Sequence, residues 1–283
     1  MKLWKPWTAG VAFLTLSLGC QPAPAENPTD VVRAVFSGTG AEWIDMTYVL
    51  DENTIFWPTA RPFELEVVSA GVTDAGYYYG ANNFCTAEHG GTHLDAPIHF
   101  AAGKQTADQI PVDRLVGPAI VLDASQAAAA DPDYLIKVSD LEGWEADHGA
   151  IPDGSILLLR TGWGAHWPDR GRYLGTTRTG EEAVPELHFP GLDPAAASWL
   201  VENRNIDAIG IDTASIDYGQ STLFETHRIL LAENIPAFEN VASLDRLPET
   251  GSYVIGLPVK IRQGTGSPLR LLGVLPGLGD ARR

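Results

Sequence analysis

Residues 89–99 read His-Gly-Gly-Thr-His-Leu-Asp-Ala-Pro-Ile-His and hold three of the chain's seven histidines together with one aspartate. Imidazole nitrogen and carboxylate oxygen are the donors that divalent zinc, manganese and iron accept, with no need of cysteine. An ion bound by such groups lowers the pKa of its water and polarises a carbonyl, so that hydroxide attacks an amide or lactam carbon near neutral pH. A lone histidine is more often a hydrogen-bonding loop residue. Three histidines and an aspartate around a glycine pair favour a metal or catalytic role.

Reach along the chain constrains how these groups act together. In an extended strand His89, Gly91, His93, Asp95, Pro97 and His99 share one side. A straight strand puts His89 and His93 about 13 Å apart, whereas donors lie about 2.0–2.2 Å from an ion. The chain must therefore bend, and Gly90-Gly91 is where it can. A helix also brings positions i and i+4 together, but two glycines and the following Pro97 speak against one. The segment is expected to be a loop or a strand end.

Other elements must position these residues. Residues 222–233, TLFETHRILLAE, carry Leu223, Phe224, Ile229, Leu230 and Leu231 around a helical repeat, which places His227 on a helix near its buried edge. Asn234 and Pro236 end that helix, and residues 237–241 fit a short strand holding Glu239 against the core. Taken alone, His227 is an ordinary histidine, and Glu239 can be a ligand, a salt-bridge partner or solvent-facing. Residues 44–47, 119–122, 156–159, 206–211 and 253–259 read as strands, several apolar enough to be buried on both faces. Asp193 and Pro194 fit the N-cap and first position of a helix that runs to Leu200. The long connection from Gly162 to Pro190, with Trp163, His166, Trp167, Tyr173 and His188, is expected either to close as a lid over the metal or to pack on the surface. The run 127–130 is expected to be a helix end or a loop.

The string HGGTHLDAPIHF resembles the H-x-G-T-H-x-D-x-P-x-H signature of the cyclase family of metal-dependent hydrolases, which includes bacterial kynurenine formamidases and isatin hydrolases. The resemblance implies that His89, His93 and Asp95 are metal ligands and that His99 is the proton donor and acceptor. It also implies that His227, in THRILL, and Glu239, in IPAFEN, complete a site for one or two divalent ions, zinc or manganese. WIDMTYVLDENTIFWP resembles the family's opening strand and makes Trp57 a substrate contact. Formamidases typically follow that Trp-Pro pair with Gly-Asp, whereas Thr59-Ala60 stands here. GIDTASIDYGQS and the closing GLPVKIRQGTGSPLRLLGVL resemble the isatin-hydrolase-like branch more closely. The implied fold is a single α/β domain with a mixed, barrel-like β-sheet core flanked by helices, and the implied assembly is a homodimer or larger. The implied activity is hydrolysis of an amide or lactam C–N bond of a small aromatic substrate, arylformamidase-like as in tryptophan catabolism or isatin-hydrolase-like. The alternatives are a non-catalytic lipoprotein that binds metal or a small molecule, and a metal that only staples the fold.

Composition agrees with an enzyme acting on a small molecule. At 283 residues with 45% hydrophobic content the chain can bury one large core, and a formal charge of −17 argues against a nucleic-acid partner. Lys2 and Lys5 precede an apolar run typical of a signal peptide, over residues 1–19. Leu16-Ser17-Leu18-Gly19-Cys20 resembles a bacterial lipobox with Cys20 lipidated, followed by a tether to residue 40 and the hydrolase domain over 41–283. Cleavage after Ala23-Pro24-Ala25 is the rival and would release a soluble protein. Both place the protein in the bacterial periplasm or cell envelope, and the lipoprotein would touch the membrane only through its lipid anchor. With Cys20 acylated only Cys85 remains, so no intrachain disulfide forms, and Cys85 is expected to be a buried, inert thiol.

Overall fold

The computed structural model describes residues 40–277, together with residues 1, 2, 35 and 36. The signal segment, Cys20 and most of the tether lie outside the described residues. In chain order come strands β1 (Ala41–Asp45), β2 (Glu64–Val72), β3 (Tyr78–Cys85), β4 (His93–Asp95) and β5 (Val116–Asp123). Next are helix α1 (Ser125–Ala130), strand β6 (Leu135–Ile136), helix α2 (Val138–His148), strand β7 (Ile156–Arg160), helix α3 (Arg170–Leu174), strand β8 (Gly191–Leu192) and helix α4 (Pro194–Asn203). The chain ends with β9 (Ala208–Ile211), helix α5 (Glu225–Ala232), β10 (Ala237–Glu239), β11 (Ser252–Pro258) and β12 (Gly266–Pro276).

Strands β5, β7, β9 and β10 pair in parallel in that order. β10 continues antiparallel to β4, β4 to β12, β12 to β11 and β11 back to β5, so seven strands close into a barrel. β1 pairs with β12 beyond β4 on the same edge. Closure removes sheet edges, and strand alternation then sorts the side chains. Val121, Ile156, Leu158, Phe238, Leu94 and Leu271 point inward to one buried cluster. Ile120, Leu122, Leu157, Leu159, Ile209 and Ile211 point outward to a second, shared with Leu141 and Trp144 of α2, Leu200 of α4 and Leu230 of α5. That double burial is why these strands read as unbroken apolar runs. α4 starts as its sequence predicts, with the Asp193 carboxylate accepting from Ala195 N at 2.7 Å.

Three expectations need correction. The first strand covers 41–45 rather than 44–47, because β1 follows the outer end of β12 in the register Ile44↔Gly273. The stretch 162–190 is not a lid over the cluster of histidines. Trp163, Tyr173, Leu174, Leu187 and Phe189 bury into a satellite core with Ile55, against which Trp57 and Trp167 pack, so the segment backs the site's wall instead of covering it. Cys85 is exposed rather than buried. It ends the β2–β3 hairpin, whose strands among the described residues pair only with each other, so that Leu65, Val67, Val68, Tyr78 and Phe84 are exposed as well. The 127–130 run lies in helix α1.

Candidate metal centre

The site grows from one cross-strand register. In the β4–β10 pair Glu239 stands opposite His93 and Ala237 opposite Asp95. Leu94 and Phe238 face the barrel core, so alternation puts His93, Asp95 and Glu239 on its outer face. Helix α5 lies over that face with Thr226, His227, Leu230 and Leu231 buried, the i, i+3, i+4 stripe of an amphipathic helix. His89 arrives from the preceding loop. Gly91, at φ +58°, makes the bend before β4, while Gly90 passes so close to Phe56 that a Cβ would lie 2.0 Å from its ring. His99 returns on the 3-10 turn Pro97–His99.

The structure thus brings all six sequence-predicted polar residues together. His93 Nε2 lies 3.2 Å from Asp95 Oδ1 and 3.5 Å from Glu239 Oε2. His227 Nε2 lies 2.9 Å from Asp95 Oδ2 and 3.2 Å from Glu239 Oε1. His89 Nδ1 is 2.6 Å from Asp95 Oδ1, and its ring stacks on that of His99 at 3.9 Å between centroids. Asp95 therefore turns one oxygen to His89 and His93 and the other to His227.

Each of three imidazoles is tied down through its other nitrogen. His93 Nδ1–H donates to the Gly91 carbonyl at 2.9 Å, and His227 Nδ1–H donates to Asp217 Oδ2 at 2.6 Å. The Thr265 hydroxyl donates to Glu88 at 2.6 Å, so it receives Nε2–H of His89 at 3.0 Å. These tautomers, assigned from the hydrogen-bond network, leave three bare nitrogens facing two buried carboxylates. Groups of that kind, 2.6–3.5 Å apart, need a positive charge among them. In the metal-free protein protons supply it. Burial pulls the His227 imidazole down, but Asp217, Asp95 and Glu239 outweigh it and hold it well above its ordinary value. Burial and the charge of Asp95 raise the Glu239 carboxyl. The residues fit a divalent ion: His89, Asp95 and His99 bring donor atoms close enough to share one, as do His93, Asp95 and Glu239, with His227 beside Asp95 and Glu239.

His99 is different. Its imidazole makes no hydrogen bond to protein among the described residues, and burial, opposed by nearby Asp95, pushes it down to about 4. A ligating histidine usually has its second nitrogen anchored, as the other three have. His99 nevertheless lies close enough to His89 and Asp95 to join a ligand group with them.

The cluster floors a cavity of ≈ 280 Å³, whose walls include Ile55, Trp57, Ala60, Phe100, Ala214 and Phe224. Trp57 stands between Phe189 at 6.5 Å and Phe224 at 6.2 Å. The anchoring residues Asp217, Thr265 and Glu88 were not evident from sequence. Asp217 and Thr265 do stand in the quoted stretches GIDTASIDYGQS and GLPVKIRQGTGSPLRLLGVL, where nothing singled them out.

The Cyclase family model matches residues 44–218, more than half of the chain. The chain belongs to the Cyclase family. It is 33% identical over 266 residues to an isatin hydrolase of Roseibium aggregatum, covering 86% of this chain and 98% of that one. It is 31% identical over 231 residues to a kynurenine formamidase of Bacillus cereus, covering 81% and 96%. Among solved structures, isatin hydrolase A from Labrenzia aggregata bound to benzyl benzoate superposes with a TM-score of 0.79 at 31% identity, over 88% of this chain and 100% of that one. An isatin hydrolase bound to the product analogue thioisatinate gives 0.77 at 32% identity, over 88% and 97%. The α/β barrel flanked by helices is the fold of these neighbours, and the chain is a hydrolase of this family.

Proposed function

We propose that the protein is a metal-dependent hydrolase that cleaves an amide or lactam C–N bond of a small aromatic substrate. The observation that carries this reading is the convergence of three anchored imidazoles on two buried carboxylates at the floor of an aromatic-walled cavity. The relatives named for isatin and for a formamide, and the thioisatinate-bound neighbour, support the substrate class.

A bound divalent ion, zinc or manganese and one or two in number, would supply Lewis acidity toward an acyl oxygen and lower the pKa of water toward neutrality. His89, His93, Asp95, His227 and Glu239 would hold it. Gly91, Asp217 and Thr265 fix the three imidazoles so that no rotamer search accompanies binding. His99, unprotonated at neutral pH and unanchored, takes the proton from the attacking water and returns it to the departing nitrogen. Trp57 and Phe100 flank the aryl group.

The assembly is a homodimer or larger. An isolated two-stranded hairpin is marginal in water, and the exposed apolar residues of β2–β3 supply a reason to associate. The protein is exported and held at the cell envelope through Cys20, a reading that rests on the sequence of residues 1–40. No helix among the described residues is long and apolar enough to cross a membrane.

The function is tested by a panel of isatin, other aryl lactams, lactones and N-formyl aromatic amines, assayed with zinc and with manganese. Turnover of a lactam or formamide that depends on the added ion supports the proposal. Hydrolysis of lactones alone, or of nothing in the panel, contradicts it.

A further inference from the structure

His89 and His93 serve one cluster only because the chain bends between them, and that bend is held from outside its own segment. Gly91 turns at φ +58°. Its carbonyl accepts twice, from His93 Nδ1–H at 2.9 Å and from the side-chain Nδ2–H of Asn240 at 2.8 Å. Those two donors fill both lone pairs of the carbonyl oxygen. Thr92, next along the bend, donates its hydroxyl to the Asn240 carbonyl at 2.7 Å. Asn240 therefore grips two consecutive residues of the bend, one with its side chain and one with its backbone.

The place of Asn240 in the fold suits it to that grip. It follows Glu239 directly at the end of β10, is buried, and sits at φ 53°, a left-handed conformation that asparagine adopts more readily than most residues. Its backbone N–H donates to the Thr213 carbonyl at 2.9 Å. The orientation of its amide follows from its neighbours: only the NH2 end can meet the Gly91 carbonyl, so Oδ1 faces the Tyr173 hydroxyl. That hydroxyl shares its proton between Asn240 Oδ1 and the Asp212 carbonyl, each at 2.9 Å. Tyr173 is fully buried on α3, and its own carbonyl accepts from Trp163 Nε1–H at 2.8 Å. The 162–190 stretch thus reaches the bend through one hydroxyl and one amide.

We propose that Asn240, held in turn by Tyr173, is a positioning residue for the metal centre: it fixes the Gly91 carbonyl, and through that carbonyl the ring of His93, so that Nε2 faces Asp95 and Glu239. It also ties two ligand-bearing strands together, since its neighbour Glu239 stands opposite His93 in the β4–β10 register. Without the amide donor the Gly91 peptide is free to rotate about its glycine, and His93 to turn with it. The role rests on the metal-binding reading of the cluster and not on which bond is cleaved.

The test is titration of wild type, Asn240→Gly and Tyr173→Phe with cobalt(II), whose d–d absorption reports ligand geometry where zinc, with a filled d shell, shows none. The thermal midpoint of each metal-free protein is measured alongside. Glycine keeps the left-handed backbone and removes only the side chain, and phenylalanine removes one hydroxyl. Asn240→Gly is expected to bind cobalt about tenfold more weakly, the low end of what loss of an outer partner costs, with an altered d–d band. Tyr173→Phe shifts affinity and band in the same direction by less. A residue that only packed would lower the midpoint of the metal-free protein and leave both cobalt readouts alone. Wild-type affinity and spectrum in either folded variant overturns the proposal. Wild-type protein that takes up no cobalt contradicts the metal reading itself, and the positioning role falls with it.

Discussion

His227 donates Nδ1–H to Asp217 at 2.6 Å and thereby aims Nε2 at Asp95 Oδ2, 2.9 Å away. Asp217 also accepts from the backbone N–H groups of Thr226 and His227, so one carboxylate both caps helix α5 and sets the imidazole. Replacement by asparagine keeps the size but loses the charge and one strong acceptor. Asp217→Asn is expected to weaken metal binding by about 10- to 100-fold, the usual cost of losing such an anchor. Competition with a chromophoric chelator reads this directly, and wild-type affinity would show that Asp217 only caps the helix.

His99 separates ligand from proton carrier. His99→Ala is expected to keep near-normal metal content and to lower turnover by about 10²-fold or more. Metal analysis beside steady-state rates distinguishes the roles. Loss of the ion in this variant would move His99 into the ligand group that its distance to His89 and Asp95 also allows.

Proton and metal compete for the same cluster, which gives the metal-free protein a pH dependence. An imidazole held above its ordinary value contributes stability below its unfolded pKa of about 6.5 and loses it as pH rises through the folded value. His227 is such a group. The thermal midpoint of the metal-free protein is therefore expected to fall on going from about pH 6 to about pH 9, and the stabilisation by added ion to widen. Scanning calorimetry at both pH values checks it; a constant gap would remove His227 from the cluster's proton balance.

Gly91 links backbone shape to the site. Its positive φ turns the chain into β4 and its carbonyl holds His93. Gly91→Ala imposes a left-handed residue at a cost of about 1–2 kcal/mol and brings a Cβ to within 3.0 Å of Thr54 Cγ2. Denaturant unfolding is expected to show that loss, with weaker metal binding alongside. An unchanged unfolding midpoint would mean that the bend does not depend on glycine.

Much of this was written in the sequence because two signals were local. Residues 89–99 needed a bend to act together, and the glycine pair supplied it; parallel strands buried on both faces had to be continuous apolar runs. The pairing of Glu239 with His93 was not legible, since a three-residue strand has too short a pattern to reveal its partner. The hairpin was hidden for the opposite reason: ELEVVSAGV and YYGANNFC bury neither face against the barrel, so alternation carries no message and Cys85 could not be placed. The 162–190 stretch left a lid and surface packing both open because its aromatic residues are scattered in sequence, whereas they meet in space as a small core behind Trp57. Thr265 lies 176 residues from the His89 it anchors, a separation no spacing rule reaches.

Everything above turns on a divalent ion held by this cluster, on which hydrolysis is expected to depend. The most direct measurement is metal content and isatin turnover of chelator-stripped protein before and after addition of zinc or manganese, for wild type and Asp95→Ala side by side. Stripped wild type is expected to be inactive and to recover in step with bound ion, and Asp95→Ala neither to bind the ion nor to recover. Turnover by stripped protein at the restored rate, or full occupancy and activity in Asp95→Ala, would contradict it.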